Sequence, residues 1–78
     1  MSDSSRRFSK ADIDKITFRL STLDPHQRQL AREHLYRLHD RNEGLFYKES
    51  FHRELMEMQH SGELSEIDVH AIQEAFFG

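Results

Sequence analysis

The chain has 78 residues, no cysteine and a formal charge of −3, with 32% of its residues charged and 36% apolar. That length suits one small domain, and so thin a core is expected to supply only about 3–5 kcal/mol of stability unless the chain associates. Without cysteine, a disulfide framework and thiolate chemistry are excluded. No apolar run approaches the ~20 residues of a membrane helix, and the start MSDSSRRF lacks the apolar segment of a signal peptide. The expectation is a cytoplasmic protein without membrane contact.

The net charge conceals an asymmetry. Residues 1–41 carry nine Lys/Arg against six Asp/Glu, and residues 42–78 carry two against eight. The halves are therefore +3 and −6. Such a split predicts internal complementarity, head-to-tail pairing, or an acidic surface that meets a basic partner.

Residues 1–7 are polar and unpatterned, and they predict a disordered tail. Ser9 with Asp12 then reads as a capping box, and Phe8 with Ile13 as a hydrophobic staple. Ile13, Ile16, Leu20 and Leu23 recur at helical spacing, so a first helix is predicted over 9–22. Asp24 and Pro25 mark the next start: the carboxylate caps an orphan N–H, and proline at the first position has no N–H to waste. Gln27 completes that box. The second helix, over 25–41, carries Leu30, Ala31, Leu35 and Leu38 on one stripe.

Asn42-Glu43-Gly44 predicts a helix end, because glycine accepts positive φ freely. The stripe Tyr47, Phe51, Leu55 and Met58 is out of phase with Leu35 and Leu38. It predicts a third helix over 46–60, with a single bent helix through Gly44 as the alternative. Leu64-Ser65-x-x-Asp68-Val69 repeats the start signal of the first helix and predicts a fourth over 65–77, with seam Val69, Ile72, Phe76. The expected fold class is all-α: a compact array of four short helices in helix–loop–helix pairs, with no sheet.

Gly44-x-Phe46 and Gly62-x-Leu64 each follow one helix and lead into another. They resemble in outline the glycine and central apolar residue of a paired EF-hand. The ligand positions do not match: the first, third and fifth would be His39, Arg41 and Glu43, then Glu57, Gln59 and Ser61. A calcium loop needs a cage of oxygens, so the likeness implies no calcium.

Six histidines raise the question of a metal. Glu49/His52 and Glu57/His60 are Glu-x-x-His units, but they share one helix at a separation of roughly 12 Å. Glu66, His70 and Glu74 line up at i,i+4. A firm site needs about four convergent ligands, so no metal and no cofactor is expected. No phosphate loop, zinc-protease helix or nucleophile elbow is present, and no catalytic residue is assigned. The chain is expected not to be an enzyme.

Two binding readings remain. In the first, the chain is a regulator, adaptor or inhibitor that docks on a larger protein or pairs with itself as a homodimer. Its acidic half (Glu49, Glu54, Glu57, Glu63, Glu66 and Glu74) would steer it to a basic surface. Tyr36 falls off its helix's seam, and the adjacent aromatics Phe46/Tyr47 and Phe76/Phe77 cannot both face one core, so Tyr36, Phe46, Tyr47 and Phe77 are the candidate apolar contacts. The alternative is a nucleic-acid-binding accessory protein that uses Arg28, Arg32, Arg37 and Arg41 of the second helix.

Overall fold

The computed structural model describes residues 5–78. The elements run β1 (Ser5–Arg7), α1 (Lys10–Phe18), α2 (Pro25–Asn42), β2 (Leu45–Tyr47), α3 (Lys48–His60) and α4 (Glu66–Phe77). The fold is mainly helical, but it contains a two-stranded antiparallel sheet, which corrects the sheet-free expectation. Ser5 pairs with Tyr47, Arg6 with Phe46 and Arg7 with Leu45. The disordered-tail expectation therefore fails at residues 5–7, and at residues 1–4 it lies outside the described residues.

The helix starts follow from local chemistry. Ser9, Asp24 and Ser65 each close a full capping box, with Asp12, Gln27 and Asp68 as the reciprocal partners. α3 has no such signal. Its N-cap is Tyr47, the last residue of β2, and no side chain caps it. The sheet thus displaces the predicted start of this helix and separates α2 from α3, so the two are not one bent helix.

α1 stops at Phe18, earlier than its apolar spacing suggests. Arg28 of α2 donates from Nε to the carbonyl of Thr17 at 3.2 Å and from Nη2 to those of Leu20 and Leu23 at 3.1 and 3.3 Å. Those carbonyls are held by a guanidinium in place of another helical turn, while Leu20 and Leu23 stay buried in the connection. α2 ends with Glu43 at φ 53° and Gly44 at φ 88°. A side chain at Gly44 would place its Cβ 2.8 Å from the carbonyl oxygen of Phe8, so the close pass of the chain beside β1 requires glycine there.

One core serves all four helices, with Ile13, Leu35, Leu55, Ile72 and Phe76 fully inaccessible. Full burial of each such side chain is worth about 1.5–3 kcal/mol. Phe8, Phe46, Phe51, Phe76 and Phe77 form a ring cluster with centroids 5.0–6.3 Å apart. This cluster seals the end of the core beneath the sheet. α1 packs on α2, α3 packs on α4, and α1 also meets α4. The basic and acidic halves of the sequence meet through α1 against α4 and β1 against β2.

The outline shared with a paired EF-hand is realised on one side alone. Gly44 does lead into a strand, but that strand pairs with residues 5–7, and the segment after Gly62 forms none.

Candidate functional site: the groove between α3 and α4

α3 turns Phe51, Leu55 and Met58 into the core. The residues one step around it, Glu49, His52, Met56 and Gln59, face along α4 instead. α4 buries Val69, Ile72 and Phe76 and sets Glu66, His70 and Gln73 beside α3. Between the two helices lies an open groove of about 600 Å³ lined by Lys48, Glu49, His52, Arg53, Met56 and Gln73. It continues past His52, Met56 and Gln73 into a hollow of about 260 Å³ bounded by Gln59, Glu66, Val69 and His70.

The apolar part of the floor is Met56, with Val69 buried beneath the smaller hollow. The rim is ionisable, and its charge changes along its length. α3 and α4 join through a short turn and run antiparallel, so the start of α3 lies beside the end of α4. Lys48 and Arg53 therefore mark one end of the groove, with Glu49 beside them, and Glu66 marks the other. His52 Nδ1 faces Gln73 Oε1 across the groove at 3.4 Å.

The six glutamates proposed as one acidic face do not share a face. Glu49 and Glu66 line the groove. Glu54 and Glu63 turn toward α2, where they hold His34 from two sides: Nδ1 is 3.0 Å from Glu54 Oε2, and Nε2 is 3.5 Å from Glu63 Oε1. Glu57 and Glu74 are exposed outside the groove. The two carboxylates at His34 meet opposite nitrogens of one ring, so they fasten α2 to the α3–α4 hairpin and do not surround an ion. No group of three or more potential ligands converges among the described residues.

The aromatic candidates also divide. Phe46 is a core residue at 2% exposure, which corrects its assignment as a contact. It was placed on a helix, but it sits on a strand, where neighbours alternate: Phe46 points in and Tyr47 points out. Phe77 is half-buried against the rings of Phe8 and Phe51. Tyr36 is half-buried and donates its hydroxyl to Asp14 of α1. That hydrogen bond pushes its pKa up. Tyr47 is exposed.

The arginines of α2 separate in the same way. Arg28 is committed to the carbonyls beyond α1, and Arg32 Nε lies 3.9 Å from Asp14. Arg37 and Arg41 are exposed and make no ion pair among the described residues. The groove itself was missed in the sequence. Its residues interleave with the core stripe, and the signal was a polar-but-methionine side of α3 adjoining the histidine side of α4. Ile67, exposed on the outer side of α4, was also missed, and Phe18, at the end of α1, is exposed as well.

No helix among the described residues is long and apolar enough to cross a membrane. Comparison with protein-family models, with curated proteins and with solved structures finds no match, so the character of this site rests on its own geometry.

Proposed function

We propose that the chain is a small cytoplasmic regulatory module that binds rather than catalyses, and that its α3–α4 groove receives one amphipathic helix of a larger protein. The observation that carries this reading is the groove: it opens between α3 and α4 over the half-buried side chain of Met56, with Val69 buried beneath it. A helix laid in a hydrophobic groove is a common recognition mode, and methionine adapts to the shape of the entering side chain. Lys48 and Arg53 at one end of the groove and Glu66 at the other favour an occupant whose charges run the opposite way along its length.

The test is a photo-crosslinking amino acid placed at Gln73 in the groove, and separately at Arg37 on the far side, in the cells that make the protein. The expected result is a discrete adduct from position 73 that is lost when Met56→Asp is added. Equal adducts from both positions, or none from position 73, would remove the reading.

A further inference from the structure

Sulfur in this chain is confined to three methionines, with no cysteine to react first with an oxidant. Met58 faces the core at 1% exposure, and Met1 lies outside the described residues. Met56 is placed differently. It is half-buried against the core, and it is the one apolar side chain that lines both the groove and the hollow beyond it. A peroxide oxidises a thioether by direct approach to the sulfur, so Met56 is reachable from the groove while Met58 is shielded. The surroundings also suit the product. Lys48, Arg53 and Gln73 line the same groove and carry N–H donors for a new oxygen. Gln73 turns Oε1 to His52 at 3.4 Å, and its amide N–H groups make no hydrogen bond among the described residues.

We propose, resting on the docking reading above, that Met56 is a reversible oxidation site whose sulfoxide closes the groove to its occupant. The co-reactant is hydrogen peroxide. The sulfur lone pair attacks one peroxide oxygen, the O–O bond breaks, and the sulfur is oxidised to the sulfoxide as the peroxide is reduced to water. Return needs a thiol-dependent reductase: two thiols become a disulfide, and the oxygen leaves as water. The change puts a polar S=O where the groove has its apolar floor. An apolar side chain laid over it then shuts that oxygen away from solvent, which opposes binding. The core is untouched, because Met58 keeps its thioether.

Peptide mapping of the untagged full chain through a peroxide time course tests the site. Met56 should gain its oxygen about tenfold or more faster than Met58. The chain oxidised at Met56 alone should keep its far-ultraviolet circular dichroism and melt within about 5 °C of the reduced chain, since the change lies outside the core. To read the groove, the chain with the photo-crosslinking amino acid at position 73 is oxidised, quenched and added to a lysate of the cells that make it. The adduct should fall by about tenfold against the reduced chain. Treatment with a methionine sulfoxide reductase and a thiol should restore it. In Met56→Leu the adduct should be the same before and after peroxide. Equal oxidation of Met56 and Met58, loss of the folded signal, or an adduct indifferent to peroxide overturns the inference, as does a peroxide effect that persists in Met56→Leu. If the reduced chain gives no adduct at all, the docking reading falls and closure falls with it, while the peptide map alone decides whether Met56 is the oxidation site.

Discussion

The guanidinium of Arg6 donates to the backbone carbonyl of Phe76, 3.3 Å away and 70 residues further along the chain. Its neighbour Arg7 does the same for the carbonyl of Glu43 at 2.8 Å. Each arginine thus meets the negative end of a helix, α4 in the first case and α2 in the second. Arg6→Ala and Arg7→Ala should each lower stability by about 0.3–1 kcal/mol, since these helix-end charges are largely solvated. The double variant should lose close to the sum if the two ends act independently. Urea unfolding of the three variants checks this, and no change in midpoint for any of them would show that β1 is held by its backbone pairing alone.

His34 is one of two α2 side chains that grip the hairpin of α3 and α4, the other being Gln27, which donates to Asp68 at 3.0 Å. The His34 ring is 19% exposed and touches a carboxylate at each nitrogen. His34→Ala is expected to cost about 1–3 kcal/mol, because it removes a partly buried hydrogen bond and leaves Glu54 facing the gap. His26→Ala, at an exposed position, should stay within about 0.5 kcal/mol of wild type. Combining His34→Ala with Glu54→Ala should cost less than the sum of the two single changes. An additive pair would mean that the contact contributes nothing.

Gly44 and Gly62 both adopt positive φ, at 88° and 87°, but their surroundings differ. A Cβ at Gly62 meets no atom within 4 Å, whereas one at Gly44 meets the Phe8 carbonyl oxygen at 2.8 Å. Gly62→Ala should therefore cost about 1–2 kcal/mol, the left-handed penalty alone. Gly44→Ala carries the same penalty and must also push β1 away from its seat, so about 3 kcal/mol or more is expected. Thermal unfolding of the two variants gives the comparison, and equal losses would contradict it.

The pH profile has two limbs. Asp12 is held below the ordinary carboxylate range first by the backbone amide of Ser9 and then by its hydroxyl, and Asp40 is held there first by Lys10 and then by His39. Both are depressed in the folded state. The stability they give is present above the unfolded pKa of about 4 and fades as the pH falls through the folded value. Tyr36 is shifted the other way, first by its hydrogen bond to Asp14. Its contribution is present below the unfolded pKa of about 10 and is lost as the pH rises through the folded value. Absorbance titration should show a late-ionising tyrosine, and Tyr36→Phe should remove that late step. Asp12→Asn should flatten the acid limb of the stability curve.

The helix starts at Ser9, Asp24 and Ser65 were legible because a capping box lies within four consecutive residues and needs no distant partner. The sheet was not legible. Residues 5–7 show no alternation and owe their extended shape to Leu45–Tyr47, some forty residues away, so nothing local distinguishes them from a tail. Phe46 was misplaced for a related reason: two adjacent aromatics fit a helical stripe as readily as a strand that turns one ring inward. The early stop of α1 depends on Arg28, which as a sequence feature looked like one more surface charge. The acidic residues were visible as a count, but their directions were not. Glu54 and Glu63 are claimed by His34, and that required knowing how α2 lies on the hairpin.

The pairing of β1 with β2 also orders events in time. β1 leaves the ribosome some forty residues before its partner β2, and the carbonyl that takes Arg6 comes with α4. α1 and α2 can pack as soon as both are made, since their contacts are local. Closing the sheet and the phenylalanine cluster must wait for distant parts of the chain. Until those parts emerge, Phe8 and the edge of residues 5–7 remain uncovered. That is the interval in which this chain is most exposed to misassembly and to capture by chaperones.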